Sequence, residues 1–168
     1  LERGGALIAL HGSGDNSHGD WSWYDDQVIG PQFVCHPADP QFQDARVVNL
    51  ASAHPIMDGI PADWIHNDEW YSFDRADVGS AVPLLGVDED SYSPQNLLCG
   101  DREDLRMGVG PDGQPIAWAR CLGEGRAVYS AIGHNHTSYD DPIYRRMLTN
   151  AIGWVRARDA EREGCPAS

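Results

Sequence analysis

The sequence predicts an α/β domain, and three patterns indicate its sheet and its closing helix. Residues 6–10 form an apolar run between a glycine pair and a glycine-rich turn, typical of a strand buried on both faces of a parallel sheet. Residues 116–122 and 126–132 flank Gly123-Glu124-Gly125, which predicts an antiparallel hairpin. Between residues 143 and 155, apolar side chains recur at helical spacing and predict a helix that packs on the sheet.

Capping residues place the ends of two predicted helices. Asp20 or Ser22 can accept hydrogen bonds at the start of a short amphipathic helix, which Gly30 and Pro31 end. Asp140 or Asp141 stands before a proline, and that order is typical of a helix start. The chain between these helices is therefore expected to supply the remaining strands.

The middle of the chain predicts further strands and one long connection. Residues 45–50 and 82–87 have the composition of short strands, and residues 67–73 predict an extended segment rich in aromatic side chains. Residues 54–61 predict a turn-rich connection. Residues 88–115 are acidic, rich in glycine and proline and weakly periodic, so we expect a surface excursion.

The length of 168 residues corresponds to one domain. We assign residues 1–158 to a single α/β domain and residues 159–168 to a charged tail that is expected to fray. Residues 1–3 predict the end of a helix that leads into the first strand. The chain is therefore large enough to bury a core of its own.

The charge of the chain bounds its partners. The formal net charge is -14, and no cluster of cations offers contacts to phosphates, so nucleic acid is excluded as a partner. No apolar run approaches the roughly 20 residues of a membrane-spanning helix. A small molecule is the expected partner.

The basic residues and the cysteines exclude several kinds of site. All twelve basic residues are arginines, which excludes a Schiff-base lysine, a pyridoxal phosphate attachment site and a Walker A loop. Cys35, Cys99, Cys121 and Cys165 show no zinc-binding spacing. Their even number permits disulfides, but scattered thiols are the favoured interpretation. Cysteine usage leaves the compartment open, with the cytoplasm slightly favoured.

Polar clusters at strand ends supply the candidate catalytic residues. His11 follows the first predicted strand and His134 follows the last, so a shared sheet edge could bring them together. Asp68 and Glu69 are adjacent and would point to opposite faces of a strand, so one of them could serve as base or ligand beside a histidine. The alternative is that each histidine is a hydrogen-bonded structural residue and that the carboxylates are solvated.

A divalent metal ion is the one cofactor that these residues could bind. His134 and His136 have period-two spacing, which in an extended backbone puts both rings on one side and suits a metal ion. The alternative is a loop with two solvated imidazoles. The metal therefore stays a hypothesis at this stage.

A high density of aromatic residues around the polar clusters suggests sugar binding, because flat rings with a polar tip stack on sugar faces. Aromatic residues also fill protein cores, and an arginine on a strand pairs more often with a carboxylate than with a ligand. The candidate substrate-binding residues are Trp21, Tyr24, His36, Trp70, Tyr71, Arg120, His136 and Tyr139.

An ordered series of motifs resembles the ThuA-like (trehalose utilisation) family over about residues 4–155. The series comprises GGALIALHGSGDNSH, W-x-W-Y, the pairs His36-Pro37 and His54-Pro55, D-E-W-Y at 68–71, Trp118-x-Arg120, G-x-G-R-x-x-Y at 123–129, Gly133-His134 and Asn150-x-x-x-Trp154. The resemblance implies a flavodoxin-like, class I glutamine amidotransferase-like sheet with flanking helices. It also implies a role in carbohydrate catabolism, often beside oxidoreductases that produce keto-sugars.

Two departures qualify this resemblance. Amidotransferases carry a nucleophilic cysteine at the elbow after the strand, where this chain has His11, so amidotransferase chemistry is not expected. Family members carry about two βα units before the Gly-Gly strand, and this chain does not. A second copy or another chain is therefore expected to cover the exposed sheet edge.

Three functional hypotheses follow from the sequence. The first is an enzyme that uses His11, His134 and one of Asp68 and Glu69 on a sugar or keto-sugar, by acid–base or metal-assisted chemistry. The second is a non-catalytic sugar-binding module. The third is an ester hydrolase, and the lack of a G-x-S-x-G elbow counts against it.

Overall fold

The computed structural model describes residues 1–15, 21–95, 97–100, 103–157 and 163–165. Within these residues the chain forms eight strands, one long α-helix and several short helical turns. The strands are β1 (Ala6–Leu10), β2 (Phe33–Cys35), β3 (Gln43–Asn49), β4 (Asp63–Asp68), β5 (Ser72–Phe73), β6 (Val82–Val87), β7 (Gln114–Leu122) and β8 (Gly125–Ser130), and the helix is α1 (Pro142–Arg156).

Six strands form a mixed sheet in the order β1-β8-β7-β6-β3-β4. β1 and β8 pair in parallel, and the other four pairings are antiparallel. The strands β2 and β5 form a separate antiparallel pair. Helix α1 packs against β1 and β8, so this mixed α/β sheet, flanked by a helix, is consistent with the predicted amidotransferase-like fold.

The expectation that β1 is buried on both faces is wrong. Ala9 is the one buried residue of this strand, Ala6 is exposed, and the other three residues are half-buried. The reason is that β1 lies at the edge of the sheet, where β8 is its one strand neighbour among the described residues. The apolar run indicated a strand but not its position in the sheet.

Several predicted elements are confirmed with small shifts of their ends. The hairpin joins β7 to β8, and Gly123 adopts a φ of 56°, which favours glycine. Helix α1 starts after Asp141, whose side chain accepts a hydrogen bond of 2.7 Å from the Ile143 N–H. The short helix is a π-helical turn over Tyr24–Ile29, and Asp20, one of its two predicted caps, lies outside the described residues.

Two other expectations are corrected. Residues 1–3 form a turn rather than the end of a helix. The segment 88–115 is only partly a surface excursion, because Leu105 is fully buried and the buried Glu89 carboxylate accepts hydrogen bonds from the Val109 and Gly110 N–H groups. A buried carboxylate needs such partners, so this segment folds back onto the domain.

The cysteines form two disulfides, so the favoured interpretation as scattered thiols is wrong. Cys35 pairs with Cys99 and Cys121 pairs with Cys165, across sequence separations of 64 and 44 residues. Pairing over such distances is set by the fold, which the spacing of cysteines does not reveal.

The described part of the tail is held to the domain. The Trp154 indole N–H donates to the Glu163 carbonyl oxygen at 2.7 Å, and Cys165 is disulfide-bonded. The expectation of a frayed tail is therefore wrong for residues 163–165, and the rest of residues 159–168 lies outside the described residues. Within the described residues, no helix has the length and apolar character needed to cross a membrane.

Candidate functional site

His11 occupies the turn that follows β1. Its backbone has a φ of 40°, in the left-handed region that residues other than glycine rarely adopt, and such strain is common at functional sites. The Nδ1 atom lies 2.7 Å from the Ala131 carbonyl oxygen, beyond the end of the neighbouring strand β8. The parallel β1–β8 pair therefore brings the two strand ends, and this histidine, to one edge of the sheet.

Glu69 follows β4 directly and is the carboxylate of the site. Its side chain is 1% exposed, and its Oε2 atom lies 3.1 Å from His11 Nε2 and 3.1 Å from His134 Nδ1. Its Oε1 atom accepts a hydrogen bond of 2.5 Å from Gln41 Nε2 and lies 3.2 Å from His36 Nδ1. One carboxylate thus contacts three imidazoles that are distant in the sequence.

His134 lies in the loop after β8, and Asp68 holds that loop. The Asp68 carboxylate is fully buried and accepts hydrogen bonds from the N–H groups of Gly133 and Asn135, at 2.7 and 2.9 Å. It also accepts a bond of 2.6 Å from the Ser138 hydroxyl. Asp68 therefore positions the backbone on both sides of His134, whose side chain is 43% exposed.

These side chains border a cavity of about 620 Å³. This volume lies in the range of small-molecule sites. The residues that line it are Leu10, His11, Gly12, Ser13, Asp15, Phe33, His36, Glu69, Tyr71, Gly133, His134 and Tyr139. Imidazoles, a buried carboxylate and aromatic rings therefore share one wall.

The charges in the cluster stabilise one another. Burial opposes ionisation of Glu69, but hydrogen bonds from His11, Gln41 and His134 and the proximity of His36 lower the pKa of its carboxyl group to about 2. Burial also opposes protonation of His11, yet its bonds to Glu69 and Ala131 raise the pKa of its imidazole above the ordinary value. Burial, and then the charge of Glu69, raises the pKa of the Tyr71 hydroxyl.

The structure brings part of the predicted set together. Of the catalytic candidates, His11, Glu69 and His134 line the cavity, whereas Asp68 supports the loop behind it. Of the substrate-binding candidates, the cavity is lined by His36, Tyr71 and Tyr139.

The other candidates have structural surroundings. Trp70 is 2% exposed and donates its indole N–H to the Gln43 carbonyl oxygen. Arg120 is buried and donates to the carbonyl oxygens of Ile29 and Val78, so it helps to cap the end of the π-helical turn. Neither lines the cavity, and the sequence does not reveal on which side of the sheet an aromatic or cationic side chain lies.

Three further candidates also lie away from the cavity lining. Trp21 is 63% exposed and stacks on Tyr24, with 5.4 Å between ring centroids. The Tyr24 hydroxyl donates to the Ser13 carbonyl oxygen at 2.9 Å and so supports the loop after β1. His136 is exposed and begins a short 3-10 turn, so the extended backbone assumed for the His134–His136 pair is wrong.

Sequence reasoning missed several residues of the site. Gln41 bonds Glu69, and Phe33 lines the cavity 4.4 Å from the Tyr71 ring. His66 connects Ser138 to the helix-capping Asp141, with distances of 2.9 and 2.8 Å. The alternation of exposed and buried side chains within residues 63–68 could have indicated a strand. No local pattern, however, reveals a hydrogen bond between residues 28 positions apart, such as Gln41 and Glu69.

A sequence model of the ThuA family, described as trehalose utilisation, matches residues 1–155. The chain belongs to the ThuA family. This membership connects it with carbohydrate catabolism and confirms the resemblance. None of the curated proteins compared with the chain matches it.

Solved structures support the fold. A ThuA-like protein from Bacteroides uniformis ATCC 8492 is similar with a TM-score of 0.73 and 24% identity, over 98% of this chain and 63% of that one. One from Parabacteroides merdae ATCC 43184 is similar with a TM-score of 0.63 and 16% identity, over 94% and 62%.

A cold-adapted β-galactosidase from Rahnella sp. R3 is similar with a TM-score of 0.54 and 15% identity, over 91% of this chain and 19% of that one. The ThuA chain described here therefore spans about 63% of the length of the Bacteroides uniformis protein. At these identities, the likeness to all three structures shows the fold alone.

Proposed function

We propose that this ThuA chain catalyses proton transfer at the carbon beside the carbonyl of a keto-sugar, leading to isomerisation or elimination. The observation that carries the proposal is the convergence of His11, His36 and His134 on one buried carboxylate at the wall of a cavity. Membership of a trehalose utilisation family supports a carbohydrate as the substrate.

His36 is the base in this proposal. Its Nδ1 atom faces two acceptors, the Pro37 carbonyl oxygen at 2.9 Å and Glu69 Oε1 at 3.2 Å, so Nδ1 carries the hydrogen. The Nε2 atom is then the nitrogen that can take a proton from the substrate. A carboxylate behind an imidazole orients the ring and raises its basicity, and Glu69 has that place.

His11 and His134 act on the carbonyl oxygen. The base removes the proton from the carbon beside the carbonyl, and the electron pair moves onto the oxygen, which receives a proton from an imidazolium. Return of a proton to the former carbonyl carbon, with loss of the proton from the neighbouring hydroxyl, gives an isomer. Departure of a group with its bonding electrons from the next carbon, with loss of the enol proton, gives an elimination product in which the carbonyl is restored. The raised pKa of His11 keeps that imidazolium protonated at higher pH than an ordinary histidine.

Hydrogen–deuterium exchange tests this chemistry directly. The substrate is a trehalose derivative with one ring hydroxyl oxidised to a ketone, and proton NMR in D₂O follows the signal beside the carbonyl. We expect the chain to accelerate loss of that signal, and His36→Asn to slow the enzymatic rate by about 100- to 10,000-fold, the usual contribution of a general base.

Two controls define this experiment. Unmodified trehalose has no carbonyl to acidify its carbons, so its signals should persist. His54 does not line the cavity, so His54→Asn should exchange like the unaltered chain. Calorimetry that shows keto-sugar binding, with neither exchange nor product, would contradict the proposal and identify a sugar-binding module instead.

A further inference from the structure

A neutral His11 ring has no hydrogen on the nitrogen that faces Glu69. The Ala131 carbonyl oxygen accepts only, so the hydrogen of a neutral His11 ring lies on Nδ1, 2.7 Å from that oxygen. His11 Nε2 then presents a lone pair to the ionised Glu69 Oε2 at 3.1 Å. Two lone pairs at this distance require a positive charge between them, either a proton or a metal ion.

The outer atoms of Glu69 and His11 have fixed partners. Gln41 and His36 hold Glu69 Oε1 from behind, which leaves Oε2 for the cluster. The Ala131 carbonyl oxygen holds His11 in the same way. Outer partners of this kind are typical of metal centres, where they set the tautomer of the histidine and the orientation of the carboxylate.

The spacing of the inner atoms also fits a metal ion. His11 Nε2 and His134 Nδ1 each lie 3.1 Å from Glu69 Oε2, and one ligand atom from each residue lies within 4.8 Å of the other two. Ligands about 2.1 Å from an ion are roughly 3.0 Å apart in octahedral geometry and roughly 3.4 Å apart in tetrahedral geometry. Both His–Glu spacings therefore fit an ion, and the distance between the two imidazole nitrogens is the one that would shorten when the ion binds.

We propose that His11 Nε2, Glu69 Oε2 and His134 Nδ1 bind a divalent first-row transition metal ion, with Zn²⁺ as the best match to two imidazoles and one carboxylate. Three protein ligands leave at least one position open to the cavity. The inference rests on the proposed function in one respect: a carbonyl oxygen of the keto-sugar takes that open position and is polarised there. His36 remains the base, because its Nε2 atom is not a ligand. With the ion bound, His11 and His134 are neutral ligands, and the ion stabilises the negative charge on the oxygen in place of a proton from either ring.

Calorimetric titration with ZnCl₂ tests the site on the full, disulfide-bonded chain after treatment with EDTA and dialysis. We expect one tight site in the unaltered chain and in His54→Asn, which removes an imidazole outside the cluster. His134→Ala should weaken binding by at least about 100-fold, since loss of an outer partner alone costs 10- to 100-fold. Because His134 is exposed, this variant is expected to fold, and thermal unfolding in EDTA checks that.

Co²⁺ absorption supplies a second measurement that a merely structural role of His134 would not change. The visible bands of bound Co²⁺ report its nitrogen and oxygen ligands, and they should be lost in His134→Ala and kept in His54→Asn. Equal Zn²⁺ affinity in the unaltered chain and His134→Ala would overturn the metal site.

The exchange assay in EDTA separates this inference from the proposed function. Undiminished exchange in a chain that binds no ion would overturn the metal site and leave the proposed function in place. Tight binding that depends on His134, in a chain without exchange, would support the metal site and remove the proposed function.

Discussion

At the scale of single residues, the adjacent Asp68 and Glu69 have carboxylates that point to different places, because side chains alternate along an extended chain. Glu69 enters the cavity wall, and Asp68, the last residue of β4, accepts hydrogen bonds from the loop that carries His134. Both are buried, and each has donors that keep its charge in place. The sequence argument that one of the pair enters a given site agrees with this arrangement, although it did not reveal which one.

The substitution Asp68→Asn tests the positioning role. An amide in place of the carboxylate presents an N–H₂ group to backbone N–H donors, so buried groups lose their partners, at a cost of about 3 kcal/mol in the free energy of unfolding. Zn²⁺ affinity should also fall, because the loop that carries His134 shifts. Denaturant unfolding and calorimetry measure the two effects.

Asp63→Asn is the matched control on the same strand. Asp63 pairs with Arg46 at the surface, with half of its side chain exposed, and such pairs contribute less than about 1 kcal/mol. An Asp68→Asn chain as stable as Asp63→Asn would show that the three hydrogen bonds from Gly133, Asn135 and Ser138 do not support the loop.

At the scale of elements, His54 joins a short turn to helix α1. Its Nδ1 atom accepts a hydrogen bond from the Ile56 N–H at the start of the Pro55–Met57 turn, and its ring lies 5.1 Å from that of Trp154. Nε2 therefore carries the hydrogen and donates to the Gly164 carbonyl oxygen at 3.1 Å. Protonation of Nδ1 would break the cap, so this contact depends on a neutral ring.

This contact predicts a loss of stability in mild acid. Burial, and then the charge of Arg126, lowers the pKa of His54 in the folded chain below the value of about 6.5 in the unfolded chain. The contribution of the neutral ring is thus complete above pH 6.5 and falls as the pH decreases towards the folded-state pKa. Over that window the unfolded chain takes up protons that the folded chain does not.

The variant His54→Asn keeps an acceptor for the cap and does not titrate. We expect the difference in melting temperature between the unaltered chain and this variant to shrink, or change sign, from pH 8 to pH 5. A difference that stays constant over this range would show that His54 has no part in the acid response.

At the scale of the whole molecule, the two disulfides connect segments that the sheet alone does not hold. Cys35–Cys99 joins β2 to the segment after β6, and Cys121–Cys165 joins β7 to the residues beyond α1. Disulfides form and persist mainly in oxidising compartments, which argues against the cytoplasm as the working compartment. Because His36 follows Cys35 directly, the first bond also bears on the cavity wall.

Removal of either disulfide should lower the free energy of unfolding by a similar amount. The two removals should differ in their effect on keto-sugar exchange. Loop entropy for separations of 64 and 44 residues corresponds to about 4 kcal/mol per bond. The double variants Cys35→Ser/Cys99→Ser and Cys121→Ser/Cys165→Ser should therefore both unfold at lower denaturant concentration. Keto-sugar exchange should fall in the first and persist in the second, and equal effects on exchange would contradict a link between Cys35–Cys99 and the site.

The sequence by itself determined the local features of this protein. These features depend on periodicity, capping and turn residues that lie within a few positions of one another. They are the hairpin, helix α1 with its Asp141 cap, strand β6, and the positions of His11 and His134 after strands. Interactions of this range are encoded in neighbouring residues, so a single sequence reveals them.

Only the tertiary structure decided which distant residues meet. It selected Glu69 over Asp68, added Gln41 to the carboxylate, buried Trp70 and Arg120 away from the cavity, placed β1 at the sheet edge and paired the cysteines. The physical reason is that these contacts join segments tens of residues apart, whose meeting depends on how the whole chain packs. The site is a property of that packing rather than of any one motif.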